Sequence, residues 1–355
     1  MKPESVPAAP VAGVPPLPAR LQNRFSRLLR RTQAVYGLVS RRPAILHAQV
    51  YTDTVGELMD SYERVFEATR GRPLYLLCSH GGLDEQLLPG WLALAPALKC
   101  RFPDVHCIHL CNQAEAVEPW QAQGLQAIHC NHNAFVDEAV FRPLDPPCER
   151  TFRAVYDARL IALKRHYLAS QVDQLALIYY VVPVVDDLNY AEQLKSQFAE
   201  AHCFNHSEEG YQRLDASAVN RCLNRCGVGL CLSEAEGAMY ASVQYLLSGL
   251  GVITTPSRGG RDDFFDPRFC LTVDADPQAV SQGVSQLLAR KLDPWQVHQA
   301  TLERIWQHRQ RFIQLVQSLY DRHGVSKQFS EEWPGLFFNR FLGNQSHHKA
   351  IEWLS

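Results

Sequence analysis

Short apolar runs alternate with longer amphipathic stretches along most of the chain. In the first part, Ala44–Val50, Pro73–Cys78, Val105–Cys111 and Gln126–Cys130 predict strands. Val55–Thr69, with apolar positions three and four apart, and Glu85–Lys99 predict the helices between them. After the proline-rich connection Arg142–Cys148 the alternation resumes. Strands are predicted at Phe152–Tyr156, Leu175–Val182, Ala201–Phe204, Val228–Leu232, Val252–Thr254 and Cys270–Val273. Helices are predicted at Leu163–Gln171, Ala191–Phe198, Ala216–Arg225, Ala238–Ser248 and Pro277–Leu288. Pro294–His323 reads as a further helix dense in His, Gln and Arg, and the aromatic stretch Trp333–Phe341 ends the ordered chain. Short strands separated by helices build parallel sheets covered on both faces. The expected fold class is α/β, with two doubly wound Rossmann-like domains whose ligands bind in the cleft at the carboxyl ends of the strands. The N-terminal domain is expected at 20–145, the C-terminal domain at 146–330, and a tail at 331–355.

The N-terminus adds two features. Residues 1–19 carry six prolines and read as a disordered leader. In 20–33, Leu21, Phe25, Leu28 and Leu29 fall at helical spacing, and Arg20, Arg24, Arg27, Arg30 and Arg31 fill most other positions. Such a basic amphipathic helix either packs its stripe on its own domain or makes peripheral contact with an anionic membrane.

Composition narrows the class. With 355 residues, 46% apolar and 20% charged, the chain can bury full cores, which excludes wholesale disorder. Thirty-five basic against 37 acidic side chains give a net charge of −2, so no nucleic-acid partner is expected. Eleven cysteines without a secretory signal point to reduced thiols and a cytoplasmic location, with association at the inner membrane face left open by the arginine helix. The longest apolar run, Leu175–Val185, is broken by Pro183 and falls short of the roughly 20 residues a bilayer span needs.

The most informative segment is Cys231–Thr254. A buried strand ends near Leu232, and a loop carrying Ser233, Glu234, Glu236 and Gly237 leads into a helix near Ala238. Glycine at a helix entry lets backbone N–H groups and the helix dipole meet an anion, typically phosphate. Gly249 then closes the helix before the next strand.

This segment resembles the donor-sugar signature of GT-B retaining glycosyltransferases of the family 4 type. That signature has Glu-Gly, a second Glu eight residues after the first, and a glycine before the next strand. Glu236-Gly237 and Gly249 match, and Gln244 stands at the second Glu. Upstream, Arg159-Leu-Ile-Ala-Leu-Lys164 is similar to the family's Gly-Arg-Leu, three residues and Lys, with Ala158 in place of the glycine. Val136, Asp137, Phe141 and Pro143 are in register with the segment that ends the family's N-terminal domain, where Phe135 replaces a glycine. Thr255–Asp262, with Gly259 and Gly260, is similar to the family's Gly-rich loop.

The resemblance implies the GT-B architecture, with a C-terminal helix crossing back to the N-terminal domain. It also implies transfer from a nucleotide-diphosphate sugar, a UDP-sugar, with retention, to a carbohydrate, lipid-linked or other small acceptor. Arg159 and Lys164 would neutralise the departing diphosphate, Glu236 would orient the sugar, and Gln244 would reach the ribose. Ser233, Glu234, Gly237, Ala238, Met239, Tyr240, Gly259 and Gly260 complete the expected donor site. His109 and His132, at strand ends, and Asn133 are the candidates for contact at the cleft, against the alternative of hydrogen-bonded core groups. No metal and no resident cofactor are expected: the two cations stand in for an ion, and Asp274-Ala-Asp276 reads as a cap for the helix at Pro277. Two rival readings stay open. One is a nucleotide-sugar epimerase or hydrolase on the same fold; the other is a decayed nucleotide-sugar-binding protein.

Overall fold

The computed structural model describes residues 37–51, 55, 58–180, 186–207, 210–338, 340–341 and 345–355. The leader 1–19 and the arginine-rich stretch 20–33 lie outside these residues. The first sheet holds β1 (Gly37–Ser40), β2 (Ala44–Val50), β3 (Leu74–His80), β4 (Val105–Cys111) and β5 (Gln126–His129) in that spatial order. Strands β2 to β5 are parallel, and β1 adds an antiparallel edge. Helices α1 (Leu58–Ala68), α2 (Asp84–Arg101) and α3 (Val117–Ala122) connect the parallel strands.

The second sheet contains β6 (Phe152–Asp157), β7 (Leu175–Ile178) and β8 (His202–Cys203); β9 (His206–Ser207) and β10 (Gly210–Tyr211) form a separate hairpin. With β11 (Cys226–Cys231), β12 (Gly251–Thr254) and β13 (Cys270–Thr272), the order is β13-β12-β11-β6-β7-β8, all parallel. Its helices are α4 (Leu188–Gln197), α5 (Ala216–Asn224), α6 (Tyr240–Leu247) and α7 (Pro277–Ala289), followed by α8 (Pro294–Arg322), α9 (Phe329–Glu332) and α10 (His347–Leu354). Every residue of β11 and β12 is buried, as strands covered by helices on both faces must be. Asp276 caps α7 by accepting from the Gln278 and Ala279 amides. Among the described residues, no helix is long and apolar enough to cross a membrane.

The two sheets acquire their second helical layer differently. Parallel crossovers are right-handed, so strands that follow one another in sequence order place all their helices on one face. That face of the first sheet packs Leu46, Ala48, Leu76 and Cys78 against Val65, Phe66, Trp91 and Leu98, and takes in Ala350 and Leu354 from α10. The opposite face, with Ile45, Tyr75, Leu77, Ile108 and Leu110, is covered by Phe312, Val316, Leu319 and Tyr320 of α8, then Phe329 and Trp333. Helix α8 has 29 residues, about 44 Å at 1.5 Å per residue. Its first turns, with Val297 and Ile305, belong to the core of the second half. The crossing between halves is thus made inside one helix, upstream of the tail at 331–355.

Arg309 marks the crossing point. It is fully buried and donates to the Ala134 carbonyl (2.8 Å), the Val136 carbonyl (2.9 Å) and both oxygens of Glu138 (2.7 Å each). It therefore fastens the segment that follows β5. Replacement by Met would leave two buried carbonyls and a carboxylate without their donor, so R309M is expected to lose roughly 3 kcal/mol in urea unfolding.

Buried neutral histidines make the fold acid-sensitive. Burial, with some help from His132, holds His47 at about 3; burial, then Lys164, holds His166 at about 4. An unfolded chain takes up these protons near 6.5, the folded chain only near 3–4, so acid favours unfolding. Each group is expected to remove up to about 1.4 kcal/mol per pH unit as pH falls from 6.5 towards 4 and to contribute no slope above 7.5. Urea titrations at pH 7.5, 6.0 and 5.0 check this.

Candidate functional site

The order of the second sheet decides where its loops meet. Strand β6 comes first in the chain but sits between β7 and β11, so the strand order reverses at the β6–β11 pair. Crevices form at such switch points because neighbouring loops leave towards opposite faces. The loop after β6 carries Arg159 and Lys164, and the loop after β11 carries Ser233 to Met239. Residues about 75 positions apart are thereby brought together.

The Lys164 ammonium donates to one oxygen of Glu236, and the Ser233 hydroxyl donates to the other. This cluster is largely buried, with side-chain exposures of 12% for Lys164 and 14% for Glu236. Arg159 stands apart from it. Its guanidinium grips Asp186 through both oxygens, the Nε–Oδ2 bond being 2.9 Å, and the Asp186 side chain is completely buried. The hydrogen bond to Asp186, opposed by burial, raises the Arg159 pKa. Both expected diphosphate cations therefore carry carboxylate counter-ions, and Asp186 was not marked by any motif.

The segment Leu163–Gln171, expected to be a helix, is instead two 3-10 turns, Ala162–Lys164 and His166–Ala169. Arg165 between them adopts a left-handed conformation (φ +49°), because its guanidinium is drawn to the Leu232 carbonyl (2.6 Å) and the Thr255 hydroxyl (2.7 Å). The Tyr156 hydroxyl also donates to the Lys164 carbonyl. These bonds, rather than helix propensity, place Lys164.

A second buried cation organises the remaining loops. Arg261 is fully buried and donates to the carbonyls of Ser233 (2.6 Å) and Thr255 (2.7 Å), to the Thr254 hydroxyl, and to Asp262 (2.6 Å). It sits directly after the two expected glycines, the one sequence signal that could have found it. A side chain at Gly259 (φ +100°) would strike the Glu236 carbonyl oxygen at 2.0 Å, and one at Gly237 the Gly82 carbonyl oxygen at 2.0 Å. The glycines are needed because the two loops and the N-terminal half touch backbone to backbone.

Helix α6 starts at Tyr240, two residues later than expected, with Met239 extended at its N-cap. Its seat on the sheet depends on Gly229, since a Cβ there would lie 2.2 Å from the Tyr245 ring, and the Tyr245 hydroxyl accepts from the Asp157 amide at 2.6 Å. Gln244 is buried on this helix, Ala238 and Met239 form its entry, and Glu234 is exposed on the loop. Gly249 (φ +79°) follows its end against Pro294.

From the N-terminal half, Asn131 and Asn133 reach across. Asn131 Nδ2 donates to the Gly260 carbonyl (2.7 Å) and the Asn112 carbonyl (3.0 Å), and Asn133 Nδ2 donates to the Met239 carbonyl (3.0 Å). The Asn133 Oδ1 atom is buried without a hydrogen-bond partner at this seam. His132 donates from Nδ1 to the His80 carbonyl (3.0 Å) and turns its ring to Tyr240, 4.9 Å between centroids. His109 does not face the cleft: it is fully buried, 4.4 Å from the Trp91 ring, 4.3 Å from Trp120 and 3.3 Å from His80 Nε2. The strand alternation that places it inward carries it into the core instead. All eleven cysteines are free thiols, and burial pushes Cys130 and Cys270 up to about 12, as expected of apolar fillers.

No protein-family model matches the chain, and no curated sequence matches it. Solved structures do. A sucrose-phosphate synthase from Thermosynechococcus elongatus is 13% identical over 76% of this chain and 79% of its own, with a TM-score of 0.53. HepE from Anabaena, in complex with UDP, is 12% identical over 84% and 82%, with a TM-score of 0.52. A trehalose-6-phosphate synthase is 10% identical over 81% and 74%, with a TM-score of 0.51. At this identity the likeness concerns architecture: the chain has the GT-B fold, two Rossmann-like halves facing a cleft and joined by a crossing C-terminal helix.

Proposed function

We propose that the protein is a glycosyltransferase that moves a sugar from a nucleoside-diphosphate sugar, a UDP-sugar, to a small or lipid-linked acceptor with retention of configuration. The observation that carries this reading is the Lys164–Glu236–Ser233 cluster at the switch point, beside the entry to α6. Fixed cations beside a helix N-terminus suit a diphosphate that gains charge as it leaves. HepE is known in complex with UDP and with UDP-glucose, and the trehalose-6-phosphate synthase is one studied for glycosyltransfer with retention.

In this reading Lys164 and Arg159 exchange their carboxylates for the diphosphate. Glu236, released from Lys164, accepts from sugar hydroxyls. The bond from the anomeric carbon to the phosphate oxygen breaks with its electrons going to the diphosphate. The acceptor oxygen bonds to the same face, and its proton passes to the departing phosphate. Asn133 and His132 face the acceptor side, and protein cations take the place of a divalent ion. One observation favours a second reading: Arg159 is locked bidentate by a buried Asp186, as in a site that no longer turns over.

Isothermal calorimetry with UDP and UDP-glucose tests the first reading, with binding expected below millimolar and K164A weakening it about thirtyfold, since a charge-assisted phosphate contact is worth roughly 2 kcal/mol. No binding at millimolar nucleotide would refute both readings. Turnover should survive EDTA treatment. Binding without transfer to any acceptor, and without sugar release, would favour the decayed reading; release of free sugar would favour a hydrolase.

A further inference from the structure

A buried carboxylate in the N-terminal half has no part in the chemistry above. Asp84 is the first residue of α2, and its side chain is completely buried. All three of its hydrogen bonds go to other elements. Oδ1 accepts from His80 Nδ1 (2.6 Å) and from the Asn112 backbone N–H (3.2 Å), and Oδ2 accepts from the Gln113 backbone N–H (3.0 Å). One side chain thereby ties the end of β3 to the loop that leaves β4. A carboxylate out of reach of water is tolerable only with such a full set of donors.

From Asn112 the bonds run on to the seam between the halves. Its Nδ2 donates to the His80 carbonyl (2.8 Å), its Oδ1 accepts from the His132 backbone N–H (3.3 Å), and its carbonyl accepts from Asn131 Nδ2 (3.0 Å). Asn131 gives its second Nδ2 hydrogen to the Gly260 carbonyl (2.7 Å), and its Oδ1 accepts from the Asn133 backbone N–H (3.0 Å). A Cβ at Gly260 would lie 2.5 Å from the Asn112 carbonyl oxygen, so the glycine loop rests directly on this network. Asp84, Asn112, Asn131 and Asn133 are all buried, and water does not replace a lost link.

We propose that Asp84 is a positioning residue for the crevice: it sets Asn112, and through Asn112 and Asn131 it places His132 and the Gly260 loop. The identity of the ligand, a nucleotide sugar, rests on the glycosyltransferase reading. The network itself is a property of the ligand-free chain. Asp84 touches no substrate; it fixes the surface of the N-terminal half on which the glycine loop of the other half is seated.

The donors that Asp84 faces explain why the side chain is a carboxylate. Both backbone N–H groups can only donate, and they meet different oxygens, so the place needs two acceptor atoms. Asparagine has the same shape but one acceptor oxygen. Its NH2 group would occupy either the Oδ1 place, where the Asn112 N–H loses its acceptor, or the Oδ2 place, where the Gln113 N–H does. Either way the loop after β4 shifts, and Asn112 shifts with it. D84N therefore perturbs position with almost no change in volume.

The test uses the full chain and one control, L87A, which truncates a buried apolar side chain of the same helix that makes none of these bonds. Without ligand, NMR is expected to show the His132 and Gly260 backbone amides shifted in D84N and unshifted in L87A. With UDP, calorimetry is expected to give about tenfold weaker binding for D84N and for N112A, and about tenfold for the double variant too, because both act along one path. L87A is expected to bind as the parent does, even where its urea midpoint falls. Unmoved amides or parental affinity in D84N, an equal loss in L87A, or a double variant weakened about a hundredfold would overturn the proposal. Should D84N not fold, hydrogen exchange in the parent decides. A support cannot open more readily than what it supports, so the Asn112 amide, held by Asp84, must exchange no faster than the His132 amide, held by Asn112. Faster exchange at Asn112 would overturn the proposal. If the parent does not bind UDP, the glycosyltransferase reading fails, while the NMR and exchange results still decide the network.

Discussion

A sheet whose parallel strands run in sequence order has one face without helices, and this chain must cover that face from its own far end. Ile45, Tyr75, Leu77, Ile108 and Leu110 would otherwise be exposed. Burying such a face at about 25 cal/mol per Å² of apolar area outweighs any single polar contact in the molecule. Helix α8 meets this need by running out of the second core and across the first sheet, with Phe312, Val316 and Leu319 as its contact residues. The relation between the halves is fixed by this packing. Arg309 then ties the helix to the turn after β5, and that turn carries Asn131, His132 and Asn133 to the seam.

The chemistry at the seam is consequently a matter of exchange. Lys164 and Arg159 are not bare charges waiting for an anion, since Glu236 and Asp186 already balance them. Removing either carboxylate from a largely buried cation costs more than removing it at a surface, because water does not readily take its place. A diphosphate gains affinity only by the difference between its own contacts and those it displaces. Ser233 and Arg261 make the exchange orderly. The first keeps a donor on Glu236, and the second fixes the loop carbonyls whatever occupies the crevice.

Much of this was legible in the sequence where the signal is local. Strands Ala44–Val50 and Val105–Cys111 have the expected boundaries, and the Asp276 cap was readable from the proline after it. Lys164 and Glu236 were each marked by the resemblance, with separate roles, and their pairing was not. What escaped depends on distant partners. Leu163–Gln171 has helical apolar spacing, yet Arg165 finds its acceptors at Leu232 and Thr255, and these bend the backbone. His109 alternates inward as a strand residue should, but only the positions of Trp91 and Trp120 show that inward means core. Asp186 lies in no motif, and its partnership with Arg159 exists because β7 adjoins β6.

The amide at position 244 acquires a different meaning beside these counter-ions. In the resembling pattern a second glutamate stands there, and its loss reads as decay if the site is judged by motif alone. Here Glu236 and Asp186 each already pair with a cation, Lys164 and Arg159. A carboxylate buried on α6 as Gln244 is would need a cation of its own, or would be held neutral by its burial. A neutral amide carries no such cost, and in the proposed reading it keeps hydrogen-bonding capacity for a ribose hydroxyl.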